Sequence, residues 1–198
     1  PLQSSFDCMI DTVIRQYIQK ENTVGLRVGI IKNQEMYTYG YGSTRKGDNN
    51  IPTDSSLFEI GSITKTFTSL LLAYDIIKNK INLDDPILKY LPDTLSTNPV
   101  LEKITFRMLA NHTSGLPRMP DNFNDKLIDT LNPYKYYDQK SLFSYLKIAA
   151  PISEPGKEFL YSNVGISILG NILILLHNQQ YEKMIRKIIT DPLKMNNT

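Results

Sequence analysis

Residues Phe58 to Ile77 constrain this chain more than any other stretch, because they set Ser62 and Lys65 three residues apart at the head of an apolar run. Ile63, Phe67, Leu70, Leu71, Leu72, Tyr74, Ile76 and Ile77 recur so densely that a helix built from them is apolar on nearly every side, the pattern of a buried helix. Ser62, Lys65, Thr66 and Ser69 form the narrow polar stripe that remains. Residues at i and i+3 share a helix face, so the Lys65 ammonium reaches the Ser62 hydroxyl. Desolvation drives a lysine toward a lower pKa and toward proton transfer. The pattern therefore predicts a serine nucleophile activated by lysine. Gly61 is expected to allow close backbone approach, and the N–H groups at the helix start to serve as oxyanion donors.

Two rival readings of the segment fail on residue identity. Lys65-Thr66 mimics the end of a phosphate-binding loop, but that motif needs glycine where Glu59 and Thr64 stand. The nucleophile elbow G-x-S-x-G fails too, since Ile60 and Thr64 occupy its glycine positions.

At 198 residues, 41% hydrophobic and 21% charged, the chain suffices for one globular domain that buries about 70% of its extended surface. A net charge of +2 gives no reason to invoke nucleic acid or an anionic membrane, and Lys183, Arg186 and Lys187 read as the solvated face of an amphipathic helix. Cys8 has no second cysteine to pair with, and among Phe6, Met9, Ile10, Val13 and Ile14 it reads as a small core residue. With His112 and His177 as its two histidines and no cysteine cluster, the chain predicts no metal and no cofactor. His177 suits the C-terminal end of its helix, and His112, in the turn-like Asn111-His112-Thr113-Ser114-Gly115, reads as a loop-stabilising group. Val164 to Leu176 falls short of the roughly 20 residues of a bilayer crossing and is read as a core helix. No signal peptide is visible; because Pro1 is not a native start, that absence decides nothing about export.

Periodicity predicts helices over Phe6–Lys20, Ser62–Lys78, from Asp85 with Pro86 in the first turn, Thr105–Ala110, Ser141–Ala149, Val164–His177 and Tyr181–Ile189. It predicts strands over Gly25–Lys32 and Glu35–Tyr41, joined by an Asn33-Gln34 turn. A hairpin alone is a poor sheet whose edges invite pairing.

A second chemical motif, Tyr161-Ser162-Asn163, follows the Pro155-Gly156 turn and precedes the apolar run from Val164, at a loop-to-helix junction. With it, the segments Ile81–Pro92, Ile104–Pro117 and Pro155–Gly165, taken in order after Ser62-x-x-Lys65, resemble the serine β-lactamase and penicillin-binding-protein superfamily. The likeness is to the branch of class C β-lactamases, D-Ala-D-Ala peptidases and esterases, and runs from about Ile10 to the end. It implies an α+β, β-lactamase/transpeptidase-like fold, with a helical region (62–189) beside an antiparallel sheet begun by strands within 25–41. It also implies covalent acyl transfer by Ser62, Lys65 and Tyr161, on a β-lactam, a D-amino-acid peptide or a small ester.

The resemblance further gives Asn163 a role in holding the lysine and a substrate amide, and places Arg118 among the substrate-binding residues. For Tyr161 to act as a base its phenol must lie beside positive charge, and Lys65 is the candidate. The polar stretch from Arg118 to Lys140 borders the cleft by resemblance, with Tyr134 and Tyr136 either forming an aromatic wall or simply packing the loop.

One departure stands out. Such relatives complete the site with a Lys-Thr-Gly or His-x-Gly motif on a C-terminal strand, whereas this sequence stops at Asp191-Pro192-Leu193-Lys194-Met195-Asn196-Asn197-Thr198. Residues 1–198 are therefore expected to be a single incomplete domain, with a C-terminal segment or partner chain completing the sheet. A non-catalytic relative that binds peptidoglycan-like peptides is the competing class. The resembled proteins are mostly exported, which implies a bacterial periplasmic or exterior setting.

Overall fold

A computed structural model describes residues 4–198, which divide into two compact units at Glu59/Ile60. In the first unit, helix α1 (Ser5–Ile18) starts at a capping box. The Ser4 hydroxyl accepts the Asp7 N–H at 3.1 Å, and the Asp7 carboxylate accepts the Ser4 N–H at 2.9 Å, so two donors at the helix start are satisfied reciprocally. Cys8 is exposed, contrary to the expected core position. The half-buried stripe of α1 is Phe6, Ile10, Ile14 and Ile18, and a residue two positions from Phe6 is turned about 200° around a 3.6-residue helix, away from that stripe.

Strands β1 (Gly25–Lys32) and β2 (Glu35–Gly42) pair antiparallel, with Lys32 opposite Glu35. Asn33 and Gln34 both take positive φ, 51° and 68°, the pair of conformations that a two-residue hairpin turn matched to strand twist requires. Tyr37, Tyr39 and Tyr41 alternate along β2 and so share a face. Phe6 meets the Tyr37 ring edge-on at 5.2 Å, and the Tyr39 hydroxyl donates to Asp7 at 2.7 Å.

The second unit is helical. Its elements are α2 (Thr64–Ile77), α3 (Val100–Lys103), α4 (Phe106–Ala110), α5 (Gln139–Leu146), α6 (Asn163–His177) and α7 (Tyr181–Ile185), the last continuing into a π turn over Arg186–Thr190. The helix expected from Asp85 does not form. Pro86 is extended and bridges Thr105, Ile87 donates its N–H to the Ile104 carbonyl at 2.9 Å, and a 3-10 turn covers Ile87–Tyr90. The bridge commits Pro86 to an extended conformation just where a first helical turn would need a helical one.

The core is built by α6, whose Ile168, Leu169, Ile172 and Leu173 are fully buried, against Leu71 and Leu72 of α2, Phe106 and Leu109 of α4, and Leu142 and Leu146 of α5. Each such side chain stabilises the fold by about 1.5–3 kcal/mol relative to exposure. Helix α2 departs from the nearly all-round burial predicted for it. Thr68, Leu71, Leu72 and Asp75 are its buried residues, while Ile63, Leu70 and Ile77 are 58%, 51% and 76% exposed. The exposed set falls at spacings of seven residues, one stripe of a helix, so the apolar circumference divides into a packed face and an open one.

Helices α2 and α6 run side by side in the same direction. At their C-terminal ends the fully buried Asp75 carboxylate meets His177 Nε2 at 2.7 Å and Lys80 Nζ at 3.3 Å. Thr68 of α2 also shares a hydroxyl–hydroxyl bond of 2.7 Å with Tyr181 of α7, and at the other end of the pair the Tyr161 hydroxyl, just before α6, lies 2.7 Å from Ser62 Oγ, just before α2. The heads of both helices therefore lie together. No described helix is long and apolar enough to cross a membrane.

Candidate active site

Ser62 lies in a single 3-10 turn, Gly61–Ile63, that leads directly into α2, and Lys65 stands in the first turn of α2. Gly61 takes φ +49°, and a Cβ there meets nothing within 4 Å. Its glycine serves a left-handed backbone conformation, not the close approach expected for it. Lys65 Nζ donates to Ser62 Oγ at 3.1 Å. Lys65 is half-buried, so the dry setting predicted for it is replaced by direct hydrogen bonding.

Tyr161 reaches the same oxygen from the head of α6. Its hydroxyl lies 2.7 Å from Ser62 Oγ, and its ring carries Lys65 Nζ at 4.9 Å and the Arg118 guanidinium at 5.0 Å from the centroid. The phenol is held below its ordinary pKa of 10.0, first by the donor interaction of the Lys65 ammonium, then by Ser62; burial opposes them, and the charges of Lys65 and Arg118 add to the lowering. As a neutral phenol Tyr161 donates to the serine. Once ionised it can only accept, so the serine hydroxyl must turn its proton toward it.

The turn that presents Tyr161 is held on two sides. Ser162 caps α6, its Oγ accepting the Gly165 N–H at 2.9 Å and donating to the Pro117 carbonyl at 2.7 Å, while the Asn163 N–H donates to the Arg118 carbonyl at 3.0 Å. From the other side His112, in the loop-stabilising role read for it, accepts the Leu160 N–H on its carbonyl at 2.8 Å and the Ser162 N–H on Nδ1 at 3.2 Å. Gly115 is required where this loop turns, since it takes φ +72° and a Cβ there would sit 2.2 Å from the Ser153 carbonyl oxygen.

Ser62, Lys65, Tyr161 and Arg118 thus converge. Asn163 does not join them by hydrogen bond among the described residues, because its amide nitrogen is turned to Met119 Sδ at 3.3 Å. Arg118 lies over the Tyr161 ring, where its charge acts on the phenol. Tyr134 packs on Phe123 at 5.3 Å within its own loop, and Tyr137 donates to Asn122 at 2.8 Å, which favours loop packing over an aromatic wall. Beside Lys65 a mainly apolar groove of about 480 Å³ is lined by Thr66, Ser69, Leu70, Ala110, His112 and Ile166. Sequence reasoning missed the ion cluster of Asp75, His177 and Lys80 around the buried Asp75 carboxylate, whose signal was one carboxylate inside an apolar helix run.

The family model described as Beta-lactamase matches residues 10–198. A beta-lactamase of Pseudomonas fluorescens is 28% identical over 190 residues, 96% of this chain and 49% of the relative. Beta-lactamase-like protein 2 of Dictyostelium discoideum is 32% identical over 96% of this chain and 35% of its own length. Among solved structures, a class C beta-lactamase superposes with a TM-score of 0.82 at 29% identity, covering 98% of this chain and 50% of that one. A beta-lactamase/D-alanine carboxypeptidase of Yersinia pestis does so at 0.78 and 27%, covering 98% and 56%. The chain therefore spans about half the length of most of these relatives.

Proposed function

This chain belongs to the beta-lactamase family, and from that membership we propose that it supplies the nucleophilic half of a serine acyl hydrolase acting on a β-lactam, a D-amino-acid peptide or a small ester. One observation carries the reading: Lys65 Nζ and the Tyr161 hydroxyl converge on Ser62 Oγ at 3.1 and 2.7 Å. Ionised Tyr161, sustained by the charge of Lys65, accepts the serine proton as Oγ bonds to the substrate carbonyl carbon. The resulting oxyanion faces the Ser62 backbone N–H at the helix head. Tyr161 then returns the proton to the leaving nitrogen or oxygen as the carbonyl re-forms. The acyl-enzyme is released by water through the same sequence in reverse roles.

Asn163 enters this scheme as a substrate-amide ligand after turning from Met119, and Arg118 as a cation beside the phenol. Among the described residues the sheet has two strands, and open sheet edges invite pairing, which supports a C-terminal strand, from the same polypeptide or a partner chain, that extends this sheet. An exported setting belongs to the same proposal.

The test is intact mass after incubation with a fluorophosphonate and, separately, a penicillin. An adduct of one acyl or phosphonyl group is expected, lost in Ser62→Ala and formed about 10² to 10⁴ times more slowly in Tyr161→Phe, the usual contribution of a general base. A folded chain that gives no adduct sinks acyl transfer by these residues and favours the binding relative.

A further inference from the structure

The Tyr161 turn is gripped by one residue whose charge state can change near neutrality. The His112 carbonyl accepts the N–H of Leu160 and its Nδ1 accepts the N–H of Ser162, so the two bonds bracket Tyr161 in sequence. Its ring lies 4.5 Å from the Tyr161 ring, tilted by 36°, with Phe159 edge-on behind it at 5.8 Å. His112 takes φ +62°, a left-handed conformation that histidine tolerates better than most side chains.

We propose that His112 is a positioning residue for Tyr161 and a proton-operated gate on the site, holding the phenol against Ser62 as neutral imidazole and releasing it when protonated. The geometry requires the neutral ring with its proton on Nε2, since Nδ1 must present a lone pair to Ser162. Protonation gives the ring a second N–H, on Nδ1, opposite the Ser162 N–H. Two donors then face each other, and either the ring or the turn must move. It also adds a positive charge to a neighbourhood that already holds Lys65 from α2 and Arg118 over the phenol. Tyr161 and the apolar Phe159 lie against the His112 ring, and the uncharged Thr66, Ser69, Leu70, Ala110 and Ile166 share the groove it lines.

Burial first, and then the charge of Lys65, hold His112 below its ordinary value of 6.5. A group depressed in the folded state contributes stability that is present above the unfolded value and lost as the pH falls through the folded one. The gate is therefore shut at neutral pH and opens on acidification below about 6.5.

The proposal rests on the acyl-transfer reading only in its kinetic arm, so the experiment has two. The first is a proton–nitrogen NMR titration of the whole chain, with the His112 signals distinguished from those of His177 by their absence in His112→Asn. The Ser162 amide and Tyr161 ring signals are expected to move with the His112 midpoint, at a pH below 6.5, and to stay still through that range in His112→Asn. Asparagine suits positive φ and sets Oδ1 where Nδ1 was, an acceptor that does not titrate. The second arm is the pH dependence of fluorophosphonate labelling. Its acid limb should steepen from one proton in His112→Asn to two in the parent, and His112→Phe should label about 10-fold to 100-fold more slowly at neutral pH, the scale of a misplaced catalytic group. A His112 titration that leaves the Tyr161 and Ser162 signals unmoved overturns the gate, as does an acid limb identical in parent and His112→Asn. Coupled NMR signals in a chain that takes no label uphold the positioning and count instead against acyl transfer.

Discussion

Tyr39 and Tyr161 each hold an oxygen 2.7 Å from the phenol, and the two regions around them are opposites. Tyr39, in the unit ending at Glu59, donates to the Asp7 carboxylate, and that bond, with burial, pushes its pKa up to about 12. Tyr161, in the helical unit, lies among the hydroxyl of Ser62 and the cations of Lys65 and Arg118, which pull its pKa down. A phenol whose partner is an anion is a structural donor; one whose neighbours are cations is a base in waiting. Packing differs in the same direction. Among the described residues, every buried core hydrophobic belongs to the helical unit, starting with Leu71, whereas α1 has no buried residue. The first unit is held by a cap, a hairpin register and polar–aromatic contacts, and the second by a close-packed core that also aligns α2 with α6.

The largest expected effect breaks the contrast between the tyrosines. Lys65→Met should slow fluorophosphonate labelling by about 10³-fold and return the Tyr161 phenol toward 10. Phenolate absorbance, differenced against Tyr161→Phe, reads the second effect; a Tyr161 titration unchanged by the substitution would falsify the role given to Lys65. Next in size is the contrast in packing. Leu169→Ala should cost about 3 kcal/mol in denaturant unfolding, as expected where a buried leucine leaves a cavity, while Val13→Ala on the exposed side of α1 stays within about 0.5 kcal/mol. Equal losses at the two positions would mean that α1 is packed as firmly as α6. The smallest effect lies in the hairpin. Gln34→Gly relieves a side chain at φ +68° and should stabilise by about 0.5 kcal/mol, the left-handed strain less the extra freedom of glycine; hydrogen exchange of the β1 and β2 amides measures it.

Local chemistry made much of this legible in advance. The Asn33-Gln34 turn follows from strand alternation on either side, and α6 from an apolar run bounded by Ser162 and Asn178, where the chain enters αL at φ 46°. Pro86 was misread because its preference for a first helical turn is local, while the bridge to Thr105 that overrides it spans 19 positions of chain. Cys8 was misread because apolar neighbours in sequence do not say which side of a helix is covered.

The sequence by itself determined the pairing of Ser62 with Lys65, since three residues of helix bring any such pair to one face, and it marked Tyr161 as a residue at a helix head. Only the tertiary structure decided that those heads meet. Asp75 and His177 join the far ends of α2 and α6, and His112, Pro117 and Arg118 hold the turn between them. These contacts link residues from 45 to 102 positions apart, beyond the reach of any local periodicity. The same contacts turned Asn163 toward Met119 and laid Arg118 over the phenol, because a side chain's direction is set by what packs around it and not by its place in a motif.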